Sequence, residues 1–128
     1  MNELVKIKYG NDEQPTVSGR ELHKFLEVDT PYSKWFSRMI EYGFENGQDF
    51  NLDKNVRVQT EGKREVSRIV EDHQLTIPMA KELCMIQRTE KGKMARQYFL
   101  QVEEAWNTPA MVMARAIKMA EKQMINII

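Results

Sequence analysis

Residues 56–70 read VRVQTEGKREVSRIV, and they decide the fold. VRV alternates apolar and polar residues, and so does EVSRIV. The polar segment between them, QTEGKR, contains Gly62. Period-two alternation on both sides of a polar, glycine-containing break predicts a β-hairpin. The hairpin is expected over about residues 50 to 72, with its tip near Glu61-Gly62-Lys63. At the N-terminus LVKIKY alternates as well, GND supplies turn chemistry, and PTV can return as a partner strand.

Helical signals flank the hairpin on both sides. Ser18 and Glu21 have the spacing of a capping box, with Val17 and Leu22 placed to staple it. A first helix is therefore expected over 19–26, with Leu22, Phe25 and Leu26 facing inward. Asp29-Thr30-Pro31 marks the next start, with Thr30 as cap and Pro31 at the first helical position. The second helix, 31–42, carries Trp35, Phe36, Met39 and Ile40 as its apolar stripe and leaves Lys34, Ser37, Arg38 and Glu41 to water. Gly43 stops it. After the hairpin, Thr76 caps a third helix with Pro78 in its first turn and Met79, Ala80, Leu83 and Cys84 on its apolar face. Thr89 caps a fourth, in which Met94, Ala95, Tyr98, Phe99, Val102 and Trp106 keep the helical period. Gly92 falls in its first turn, where glycine costs little.

Asn107-Thr108-Pro109 ends that helix and can cap another. In the tail that follows, Met113, Ile117, Ala120, Met124 and Ile127 are spaced 4, 3, 4, 3, an a/d pattern over about two heptads. Four of the nine methionines lie between 111 and 124, and flexible thioethers suit adaptable apolar interfaces. So short a helix is marginal alone in water. It needs its own domain or another chain, and the proline separating it from the domain favours a second copy. The chain ends on Ile-Asn-Ile-Ile, an apolar end expected of an excerpt from a longer protein. The predicted class is α+β: a small antiparallel sheet or hairpin with about four helices, winged-helix-like, over residues 1–107. An extended amphipathic helix follows over 108–128.

With 128 residues, the chain has room for one domain of this kind. Nineteen Lys and Arg balance nineteen Asp and Glu, so any basic patch must be local. No segment has the roughly 20 apolar residues of a membrane span, and a cytoplasmic location is expected. The single cysteine, Cys84, sits among Leu83, Met85 and Ile86 and reads as a small buried hydrophobe. His23 and His73 fall in different elements with no pairing to Cys84, and both read as solvated or core-edge histidines. No metal-ligand spacing, glycine-rich phosphate loop or catalytic constellation is present in the sequence. A non-enzymatic protein without cofactor or metal is the expectation.

Two segments are locally basic. Lys54, Arg57, Lys63, Arg64 and Arg68 stand against Glu61 and Glu65, and Arg88, Lys91, Lys93 and Arg96 against Glu90, each segment amounting to +3. Cations on a hairpin tip beside short helices are what a winged-helix DNA binder displays. Hairpin tips and helix starts are also charged for solubility alone. The pair 19–26 and 31–42 weakly resembles a helix-turn-helix, in which polar residues opening the second helix read bases. Here those are Tyr32, Ser33 and Lys34.

Three blocks in order, TVSGRELHKFLEV, KWFSRMIEYGFENGQDF and AKELCMIQRTEKGKMARQYFLQVEEAW, resemble the N-terminal domain of phage antirepressors of the AntA/AntB type, over roughly residues 16 to 107. The tail AMVMARAIKMAEKQ resembles the helical linker that precedes a C-terminal domain in many such proteins. The resemblance implies a regulator of prophage induction in the bacterial host. It would bind a phage repressor and free the lytic promoters; DNA contact is the alternative. Two departures stand out. Gly19 occupies a position where the family is expected to have alanine. The hairpin carries the extra acids Glu65, Glu71 and Asp72, which weigh against DNA contact. No catalytic residues carry over.

Overall fold

In the computed structural model, which describes residues 4–9, 14–61 and 64–127 (55–61, 64–69 and 125–127 by backbone alone), the order is ββααββααα. The strands are β1 (Ile7–Lys8), β2 (Thr16–Ser18), β3 (Phe50–Glu61) and β4 (Arg64–Thr76). They form one antiparallel sheet in the order β1-β2-β4-β3. The helices are α1 (Gly19–Phe25), α2 (Tyr32–Ile40), α3 (Ile77–Gln87), α4 (Glu90–Trp106) and α5 (Pro109–Ile127). This is the expected α+β class, with the terminal helix extended.

The caps fall where the sequence puts them, save one. Ser18 Oγ accepts from the Glu21 amide at 3.2 Å, Thr76 Oγ1 from Met79 at 3.4 Å, and Thr89 Oγ1 from Gly92 at 3.1 Å. Each satisfies an amide that a helix start leaves without an intrahelical partner. Thr108 does the same for Met111 at 3.3 Å. The exception is Thr30. Pro31 itself is the N-cap of α2, and no side chain caps that helix. The Thr30 carbonyl lies 2.7 Å from His23 Nε2.

Val17, Leu22, Trp35, Phe36, Phe50, Leu75, Leu83 and Phe99 lie in one apolar cluster that α1–α4 and the sheet build together. Tyr98 reaches across it, its hydroxyl donating to the Val5 carbonyl at 3.1 Å. Lys81 and Glu103 bridge α3 to α4 at 2.7 Å. Cys84 is buried, as expected, and burial pushes its thiol up to about 12. Met94 departs from the expected stripe. It is exposed, because Ala95, Tyr98, Phe99 and Val102 already fill the inward face of α4.

The packing of α3 on α4 explains Gly92 better than its place in the first turn does. Arg88 closes α3 in the left-handed conformation (φ 53°). The chain then doubles back so tightly that a Cβ at position 92 would lie 2.6 Å from the Cys84 carbonyl oxygen. Glycine is required there for contact, not merely tolerated.

The hairpin is longer than expected. Its register runs from Phe50↔Leu75 to Glu61↔Arg64, so residues 62 and 63, outside the described residues, connect the strands. β2 pairs with β4 only at positions 74–76. From residues 54 and 71 outward the two strands pair only with each other. Eight residues at about 3.3 Å each make a ribbon roughly 25 Å long.

Candidate interaction surfaces

The base of the ribbon is locked by a buried polar cluster. Asp72 on β4 is 1% exposed, the one buried charged residue among those described. Its carboxyl accepts from the Ser18 hydroxyl, from the Arg20 amide at 3.0 Å, and from the His73 amide at 2.7 Å. Asp72 thus faces the first turn of α1, where unpaired amides favour an acceptor. Arg20 returns the contact, Nε donating to the Glu71 carbonyl at 2.5 Å. Its guanidinium lies 4.5 Å from the centre of the Tyr32 ring.

Tyr32 and His73 complete the cluster. The Tyr32 hydroxyl lies 2.7 Å from His73 Nδ1, and the imidazole stacks on Phe36 with centroids 3.8 Å apart. Burial, helped by the Asp72 charge, pushes the tyrosine hydroxyl well above its ordinary range. Burial also lowers the histidine, against the pull of Asp72 and Glu71. The phenol can donate to Nδ1 or accept from it, so the imidazole tautomer sets the direction of this hydrogen bond. A Cβ at position 19 would lie 2.3 Å from that hydroxyl, so Gly19 makes room for it.

These contacts correct two readings. Tyr32 is buried, not an exposed base-reading residue, so the helix-turn-helix comparison loses its first contact. Asp72 is an internal acceptor and adds no surface acid to the hairpin. Only its distance from Ser18 in the chain hid this role. The histidines lie at the edge of the core, as expected: His73 is partly buried in this cluster, and His23 sits between Tyr32 and Trp35.

The basic residues 88 to 96 do not form one patch. Arg88 and Lys93 are exposed. Lys91 turns toward α1, its Nζ 5.1 Å from the centre of the Phe25 ring. It lines an open groove with Leu4, Lys6, Lys24, Glu21 and Glu27, whose two acids offset two of its three cations. Arg96 is partly buried. The sequence run concealed this dispersal, because the helical period sends neighbours to different sides.

The hairpin cations are sorted by register. Paired residues share a face, and so do residues two apart. Arg57 pairs with Arg68, and Glu61 with Arg64. Positions 57, 68 and 64 therefore share one face with the acid at position 61 and, at the base, with Asp53 and the buried Asp72. Lys54 pairs with Glu71, and that face also takes Glu65. Lys63 lies outside the described residues.

The helix α5 stands apart from the core. Met113 is 62% exposed, Ile117 51% and Met124 64%; Ala120 is exposed too. Arg115 ties α5 to α4. Its Nη1 donates to the Trp106 carbonyl at 2.6 Å, and its guanidinium lies 3.9 Å from the centre of the Trp106 ring. At 100° per residue, Arg115 projects opposite positions 113, 117, 120 and 124. The a/d stripe therefore lies on the side opposite Arg115, on a helix whose residues through Met124 are all exposed except Arg115. Ile127, the last member of that stripe, is described by backbone alone.

The family model described as AntA/AntB antirepressor matches residues 17–89. The chain belongs to that family. Its general role is that of a phage-related antirepressor. No curated protein and no solved structure matches the chain. The antirepressor match begins at Val17, takes in α1, α2, the ribbon and α3, and ends at Thr89. Of the sequence resemblance over 16–107, the part beyond Thr89 lies outside the match. No helix among the described residues is long and apolar enough to cross a membrane.

Proposed function

We propose that this antirepressor acts without catalysis, in the bacterial cytoplasm, by binding a phage repressor directly and keeping it from its operator. Binding a DNA-incompetent state of the repressor draws the repressor population into that state. The extent is set by the difference in affinity for the two states. Release of the operator then promotes lytic induction.

The observation that carries the mode of action is the orientation of α5. Arg115 holds the helix from one side, and the stripe Met113, Ile117, Ala120 and Met124 is turned outward on the other. A second copy of the helix, extended by Ile127, supplies the matching stripe. Joined copies present several repressor-binding surfaces at once and gain avidity from it.

Two measurements test the reading. Labelled phage repressor is bound to immobilised operator DNA and the chain is titrated in. Release of the label together with the chain is expected, and repressor that stays on the operator, or leaves it unaccompanied by the chain, sinks repressor binding. Light scattering is then run on the intact chain and on Met113→Lys/Ile117→Lys. A multiple of 15.1 kDa falling to a single mass is expected. An intact chain that already runs as a monomer overturns the role given to α5.

A further inference from the structure

We propose that the arginine face of the ribbon, positions 57, 68 and 64, binds the phosphate backbones of B-form DNA. The argument starts from pairing. Lys54↔Glu71 and Glu61↔Arg64 set opposite charges across the strands, as a free ribbon does to hold itself together. Arg57↔Arg68 sets like charges directly opposite each other, as Asp53↔Asp72 does at the base, where Asp72 accepts from Ser18 and Arg20 and Asp53 accepts from Gln74. The arginine pair opposes the ladder, and neither solubility nor protection of a free edge needs it. Lys–Glu pairs would serve both purposes. An anionic partner converts the repulsion into attraction.

The sorting of charge supports the same partner. Three arginines against Glu61 and the partly buried Asp53 share one face; one lysine against two glutamates share the other. The chain's zero net charge does not cancel this field. The ribbon is roughly 25 Å long, more than twice the screening length of about 10 Å at 0.1 M salt. With Asp72 withdrawn into the base cluster, one of the acids that weighed against nucleic acid is removed from the surface.

Geometry selects the duplex form. Position 64 lies opposite 61, four residues along the strand from 57, or roughly 13 Å away. That span is comparable with the major groove of B-DNA, about 12 Å wide, which admits a two-stranded ribbon. The deep, narrow major groove of A-form RNA does not.

The test uses the intact 128-residue chain and a labelled 20-base-pair DNA duplex of mixed sequence, read by anisotropy between 50 and 200 mM salt. Arg57→Gln/Arg68→Gln is compared with Lys54→Gln on the opposite face. Removing two phosphate contacts lowers the salt slope by about 1.8, and weakens binding roughly 60-fold at 0.1 M. Lys54→Gln leaves both nearly unchanged. A duplex RNA of the same sequence binds at least tenfold more weakly. Absence of DNA binding at 50 mM salt overturns the proposal. So does an unaltered slope in the double variant, or equal affinity for the RNA. Each of these outcomes leaves repressor binding standing, because the operator-release assay reads that separately.

Discussion

The turn around Gly92 and the ribbon beyond Lys54 are built on opposite terms. At Gly92 two helices approach until a single added carbon would strike a carbonyl oxygen. In the ribbon the strands pair with nothing but each other, and one pair is like-charged. The helix α5 shares the second condition, held to the domain through Arg115 and Trp106. Where every group is committed to a neighbour, substitutions act on stability. Where groups are left over, they act on binding. The seam between the two regimes is the cluster around Asp72, and the sharpest way to break the contrast is to cut there.

Asp72→Ala removes the acceptor for the Ser18 hydroxyl and the Arg20 and His73 amides while leaving all three donors in place. A buried donor without a partner costs about 1–3 kcal/mol, so a loss of about 3–4 kcal/mol is expected from urea unfolding. Asp72→Asn keeps one carbonyl acceptor and should lose less. A loss under about 1 kcal/mol would mean that the cluster does not fix the ribbon to α1.

Gly92→Ala comes next. The obstacle is backbone, the Cys84 carbonyl, so the helices themselves must part. Overpacking of this kind costs about 2–3 kcal/mol. Thermal unfolding followed by circular dichroism measures it, and an unchanged midpoint would show that the α3–α4 turn is looser than its geometry.

What could be read in the sequence divides along the same seam. Ser18, Thr76 and Thr89 announced their helices because a cap is a local device, legible within four residues. The hairpin announced itself by alternation. Asp72 and Ser18 are 54 residues apart, and no local pattern joins them. Tyr32 looked like a surface residue because it opens a helix, yet its burial depends on Gly19 and His73 from two other elements. The arginine face was hidden for a related reason. The five hairpin cations look equivalent along the chain, and only the pairing register separates Lys54 from Arg57, Arg64 and Arg68. The outward stripe of α5 was legible as a spacing, but its direction needed Arg115 on Trp106.

A smaller effect tests the seam by pH. His73 is held neutral by burial, below its ordinary value of 6.5. Between its folded pKa and 6.5 the unfolded chain binds more protons, so stability rises with pH across that window. The contribution is fully present above pH 6.5 and is lost as pH falls through the folded value. Melting temperatures taken from pH 7.5 down to 5.5 should decline for the intact chain. His73→Gln, less stable at pH 7.5, should decline less over the same range. Parallel profiles for the two proteins would remove His73 from the account.

The smallest expected change has the opposite sign. Arg57→Thr/Arg68→Thr replaces a like-charged cross-strand pair by two β-branched residues in the same register. Cross-strand pairs of this kind differ by about 0.2–1 kcal/mol, and here the difference favours the variant. Stability should rise slightly, or stay level, while affinity for duplex DNA falls. The combination is informative because a structural role and a binding role predict different signs. If these arginines support the fold, their removal lowers the melting temperature as the core substitutions do. If they are set aside for a partner, the free protein is better off without them. A clear drop in melting temperature for the double variant would place the ribbon on the same terms as the Gly92 turn, and the contrast between the two regions would fail at its most exposed point.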